Sequence, residues 1–310
     1  MRLGGIQPPQ RNDSLLKGYV GGVWYFWGMR VGILGGGTMG RGIAEVAGRA
    51  GHRVEVYEPV GAARASAEAA LRERLPQADW YITEQLADLA GAEVFIEAIP
   101  EDLTRKKALL AEIASLVGPT SLVATNTSAL CVHELGRELP YRSQFMGWHF
   151  FNPAPRMPLV EVIPTAFTAK EALERSLEIL QTWGKVPVIA PDLPGFLVNR
   201  IARPYYVEAL RLAEEGVAPA QIDALMEGLG FRMGPFRLMD LIGVDVNHAV
   251  TQAVWAGLWY PARFRPSWLQ ALKVAAGHLG RKTGQGFYRY TTDASNSEGP
   301  KGPPAAPTTS

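Results

Sequence analysis

The feature that most constrains this chain is the ten-residue stretch 31–40, VGILGGGTMG. A short apolar run, Val31, Ile33 and Leu34, ends in three consecutive glycines, and residues 38–50 are compatible with a helix. Strand, tight turn and helix in that order leave few choices of fold. Gly35 permits the sharp turn, Gly37 leaves room for a diphosphate to approach the backbone, and Gly40 lets helix and strand pack closely. The N–H groups of the new helix, with Thr38 and Met39 at its start, then present the positive end of a dipole to the phosphates. Glycine-rich loops are common, so context decides. Here an acidic residue, Glu58, closes the next apolar strand, Val54, Val56 and Tyr57, at the spacing a dinucleotide-binding unit requires.

The chain has 310 residues, enough for two domains with separate cores. Its hydrophobic content of 47% and charged content of 20% suit a globular protein. A formal net charge of +1 gives no reason to expect a nucleic-acid partner. The single cysteine, Cys131, excludes an intramolecular disulfide framework and fits a reducing, cytoplasmic setting. We read it as a small buried helix residue. Residues 1–28 are expected to be an extension, disordered or absent from the native protein. Their apolar part, 19–29, is too short to span a membrane and lacks a signal-peptide cleavage pattern. Residues 291–310, rich in Ser, Pro, Gly and Ala, are expected to be a disordered tail.

After Glu58 the pattern predicts helices over 60–75, 82–89, 102–116, 132–139 and 169–183. Interleaved strands are expected over 93–97, 121–125, 144–148, 159–163 and 186–190. The alternation implies a Rossmann-type doubly wound, mostly parallel sheet over residues 29–190. A proline-bounded linker near Pro191 and Pro194 then leads into an all-α domain over 191–290. Its helices are predicted at 196–215, 218–228, 238–258 and 267–276.

Ligands in such sheets collect at the carboxyl ends of the strands. That rule singles out Glu58, residues 97–101, Asn126 to Ser128, and His149. The strings GGGTMGRGIA, IEAIPEDLTRKK, NTSAL, GWHFFNPAPRMPLVEVI, GKVPV, DLPGFLVNRI, GFRMGPF and GRKTGQGFYRY follow in order. Over roughly residues 29–290 they resemble the L-3-hydroxyacyl-CoA dehydrogenase family, including bacterial 3-hydroxybutyryl-CoA dehydrogenases. The resemblance implies NAD-dependent oxidation of an L-3-hydroxyacyl-CoA and a homodimer formed through the C-terminal domain.

Histidine is the side chain that titrates nearest neutrality, which suits His149 to proton transfer with an alcohol. The resemblance pairs it with Glu161 as the group that orients the ring, and makes Ser128, Asn152 and Asn199 substrate contacts. Ser128 could otherwise cap the helix that follows, and Asn152 could simply shape the turn at Pro153. A carboxylate at Glu58 favours NAD over NADP. The resemblance adds Glu101, Lys106, Asn126 and Lys282 as cofactor contacts and calls for no metal. Many family members carry a long helical hairpin where this chain has only residues 70–92, and the hairpin helps hold the CoA nucleotide. A free 3-hydroxy acid, of the gulonate or carnitine type, is therefore a second reading. A catalytically idle NAD-binding protein of crystallin type is a third.

Overall fold

The computed structural model describes residues 17–20, 23–26 and 28–290. The expected tail at 291–310 and most of the expected N-terminal extension lie outside them. Within that extension, β1 (Lys17–Val20) pairs antiparallel with β2 (Val23–Phe26), where the sequence reading had placed no element. The chain divides into two units between Asp192 and Leu193.

In the first unit, β3 (Arg30–Leu34) runs through the glycine turn into α1 (Thr38–Arg49) and returns as β4 (Arg53–Tyr57). The apolar residues of β3, β4 and the inward face of α1 pack into one core with those of the later strands. α2 (Gly61–Arg74) is followed by β5 (Trp80–Thr83), which extends the sheet beside β4. This corrects the expected helix over 82–89. Trp80 to Thr83 make a β-rich quartet, too short for its periodicity to separate strand from helix, and only residues Leu86–Leu89 form a single 3₁₀ turn.

β6 (Val94–Glu97), α3 (Leu103–Glu112), β7 (Leu122–Thr125), α4 (Val132–Gly136) and β8 (Phe145–Phe150) continue the alternation. β9 (Leu159–Pro164), α5 (Lys170–Thr182) and β10 (Val186–Ile189) complete it. The sheet order is β10-β9-β8-β7-β6-β3-β4-β5. Every neighbouring pair is parallel except β8 and β9. Strand order reverses between β3 and β6, and the carboxyl ends there form the crevice in which such sheets bind ligands.

The second unit consists of α6 (Val198–Glu214), α7 (Pro219–Gly228), α8 (Pro235–Ile242), α9 (Val244–Gly257) and α10 (Trp268–Ala275). Tyr206, Leu210, Ile222, Phe236 and Met239 form its core. The helix expected over 238–258 is broken at Gly243, whose φ of +109° no residue inside a helix adopts.

Candidate active site

The glycine turn has the shape a dinucleotide requires. Gly35 has φ +112°, and a Cβ there would stand 3.0 Å from the Ala98 carbonyl oxygen. A Cβ on Gly40 would lie 1.8 Å from the Gly35 carbonyl oxygen, whereas one on Gly37 would meet nothing within 4 Å. Two glycines are thus demanded by close packing, and the third opens onto free space at the start of α1. That helix end has no side-chain cap, so its first N–H groups, from Thr38 and Met39 onward, remain for an anion. Glu58 accepts hydrogen bonds from Gly36 N at 2.9 Å and Val60 N at 3.0 Å, which fixes the carboxylate at the rim of the turn. Arg64, a cation beside Glu58 that could favour a 2′-phosphate, pairs with Glu84 at 2.6 Å. These residues fit NAD.

The antiparallel register sets His149 directly opposite Glu161. Cross-strand neighbours lie within side-chain reach, and here His149 Nδ1 meets Glu161 Oε2 at 2.6 Å with both residues buried. A carboxylate accepts the Nδ1 proton, so the ring carries its lone pair on Nε2 and is held in one tautomer. A carboxylate contact of this kind fixes the orientation of an imidazole ring.

Beneath the Ser128 loop lies a chain of charges. Glu97, wholly buried at the end of β6, accepts from Thr125 Oγ1 at 2.6 Å, Lys106 Nζ at 2.6 Å and Ile99 N at 2.8 Å. Lys106 is itself 1% exposed and donates also to Ile99 O. Its ammonium is thus paired within the protein interior. Glu101 stands 3.4 Å from Lys106 Nζ and accepts from Thr127 Oγ1, Ser128 N and Ala129 N at 2.6, 2.9 and 3.0 Å. Burial alone would raise its carboxyl. The Thr127 hydroxyl, the Lys106 ammonium and the two amides outweigh that and hold it below the usual carboxylate range. Ser128 Oγ is 3.4 Å from the same carboxylate, so Ser128 is no helix cap.

The cap of α4 comes instead from Asp192, sixty residues away. It accepts from Val132 N, His133 N and His133 Nδ1, the last at 2.5 Å, and Cys131 Sγ lies 3.4 Å from it. Cys131 is exposed rather than buried, a correction to the sequence reading; partial desolvation of its sulfur, with the Asp192 charge, still raises its thiol pKa. Cys131, His133 and Asp192 are spaced as metal ligands would be, but the donor set is wrong. Ala166 N donates to His133 Nε2 at 2.8 Å, which leaves the proton, not a lone pair, on Nδ1. Nothing in the spacing of these residues announced this latch.

Of the remaining candidates, Asn152 is exposed and precedes a cis peptide bond to Pro153. Asn126 Oδ1 accepts from Phe150 N at 2.8 Å. In the second unit, Asn199 occupies the first turn of α6, where asparagine is less anomalous than in a helix interior. Lys282 Nζ pairs with both oxygens of Asp245 at 2.6 and 2.7 Å.

Residues 30–193 match the family described as 3-hydroxyacyl-CoA dehydrogenase, NAD binding domain, and residues 195–290 match its C-terminal domain. The 3-hydroxyadipyl-CoA dehydrogenase of Escherichia coli K12 is 42% identical over 287 residues, covering 85% of this chain and 59% of that protein. The mitochondrial hydroxyacyl-coenzyme A dehydrogenase of Rattus norvegicus is 34% identical, covering 83% and 90%. A crystal structure of 3-hydroxybutyryl-CoA dehydrogenase from E. coli K12 aligns with a TM-score of 0.80 at 41% identity, covering 90% of this chain and 62% of that one. The chain thus spans about three fifths of the E. coli relatives it matches and nine tenths of the rat enzyme. The resemblance carried by the motifs is upheld: the chain belongs to the 3-hydroxyacyl-CoA dehydrogenase family of NAD-binding oxidoreductases.

Proposed function

We propose that this protein oxidises the 3-hydroxyl of an L-3-hydroxyacyl-CoA to the ketone, with His149 as general base. The observation that carries the reading is the buried 2.6 Å contact of His149 with Glu161, on the strand end of a sheet whose switch point holds a dinucleotide turn. Bound NAD supplies the acceptor for the hydride that leaves C3. His149 Nε2 takes the hydroxyl proton, and Glu161 stabilises the imidazolium that results. Ser128, held by Glu101, and Asn199 are proposed to position the substrate oxygen, and Asn152 to contact the substrate. Glu101 and Lys282 are proposed as cofactor contacts. Positioned acid–base groups of this kind contribute about 10²–10⁴ in rate.

Replacing His149 with Gln should abolish turnover while NAD still binds, read by steady-state kinetics and fluorescence titration. Unchanged turnover would remove His149 from the mechanism.

A second reading, a free 3-hydroxy acid as substrate, is favoured by one feature. Between α2 and β6 the chain builds β5 and a 3₁₀ turn, which offers less surface for a CoA nucleotide than two long helices would. Kinetics with 3-hydroxybutyryl-CoA against free 3-hydroxybutyrate decide between the two. The retained His149–Glu161 pair speaks against a catalytically idle protein, because holding NAD does not require it. Among the described residues no helix is long and apolar enough to cross a membrane, and a cytoplasmic setting is our proposal.

A further inference from the structure

The resemblance assigns Asn126 to the cofactor, but its side chain has another task. We propose that Asn126 is a positioning residue for His149: its carboxamide oxygen continues the β7 hydrogen-bond ladder past the point where the strand ends. The two strands pair in parallel from Val123↔Phe145 to Thr125↔Gly147, and β7 then stops. β8 runs on through Phe150, so the β7 ladder ends short of His149 while β9 still pairs with it. On the β7 side the Phe150 amide donates to Asn126 Oδ1 at 2.8 Å.

An amide at this depth has to be paired, and here a side chain stands in for the missing strand. Asn126 is itself anchored, its own amide donating to Glu97 O at 2.7 Å. Because the Phe150 N–H can only donate, Oδ1 must face it. The carboxamide is thereby oriented, with Nδ2 turned away from β8. Its geometry couples the end of the Ser128 loop to the peptide that follows the base. A displacement of about 1 Å at a reacting group can cost roughly a hundredfold in rate, so one hydrogen bond in this place bears on turnover.

The inference rests on the reading of His149 as the proton acceptor, and its test separates the two. Asn126→Ala should lower kcat roughly ten- to hundredfold. The Kd for NAD should stay within about twofold, the split expected when a transition-state interaction is lost. Deuterium uptake in a peptide covering residues 145–150 should rise. Asn126→Asp keeps the acceptor and should recover most of the lost kcat and the protection. If Asn126→Ala is insoluble, Asn126→Ser, whose hydroxyl is too short to reach, replaces it against Asn126→Asp in the same comparison. A tenfold weaker NAD affinity with kcat unchanged at saturation would make Asn126 a cofactor ligand and overturn the proposal. Unchanged kcat and unchanged exchange would overturn it too. Full activity of His149→Gln, run in parallel, would instead sink the reading on which the proposal rests.

Discussion

His149 meets Glu161 because antiparallel strands place residues in register face to face, and because both side chains are shut away from water. In that setting a carboxylate is an effective partner for a ring that gains charge. Glu161→Gln should preserve the fold and lower kcat by about 10²–10⁴, since the ring loses both its fixed tautomer and the charge that supports the imidazolium. A stopped-flow or steady-state comparison checks this. His52 is a contrasting case. It is 2% exposed, neither ring nitrogen has a hydrogen-bond partner among the described residues, and it packs on Trp183 at 5.6 Å. Burial lowers its pKa from 6.5 to about 4. The unfolded chain therefore binds this proton more readily than the native one between those values. Stability is full above about pH 6.5 and falls as the pH drops toward 4, by about 3 kcal/mol from this residue. Urea midpoints at pH 7 and pH 5 should differ by less in His52→Phe than in the parent.

At the level of elements, the glycine turn yields a paired prediction. Gly40→Ala drives a methyl into the Gly35 carbonyl and should destabilise the protein as well as weaken NAD binding. Gly37→Ala meets nothing in the protein, so its melting temperature should be unchanged while NAD affinity drops at least about tenfold. Equal affinity in Gly37→Ala would mean that the diphosphate lies elsewhere. This turn was readable in the sequence because glycine there is a backbone requirement, local to six residues. The strand at Trp80 to Thr83 was not, because four residues carry no decisive period and the neighbouring β4 edge determines their conformation. The break between α8 and α9 was missed for a related reason: apolar spacing continues across Gly243 as though the helix did.

On the scale of the whole molecule, the second unit exposes several large apolar side chains. Ile201, Leu229 and Trp259 are 70%, 68% and 88% exposed, with Leu225 and Leu272 also uncovered. Apolar side chains left in water are the material of association surfaces, and we infer a homodimer through this unit. Sedimentation should give twice the monomer mass, and Leu229→Glu with Ile201→Glu should shift it toward the monomer; a monomeric parent would refute this. The linear chain alone determined the dinucleotide turn, the alternating sheet and the helical second unit, and it named His149 and Glu161 as partners, which the structure brings into contact. Each of these is written in short-range spacing or in motifs whose residue types the chemistry demands. The tertiary structure alone decided that Lys106 is buried beside Glu97, that Asp192 caps α4, and that Asn126 completes the strand bearing His149. Those contacts join residues 9, 60 and 24 positions apart. Burial and hydrogen-bond demand, neither of which is visible in a linear sequence, select the partners.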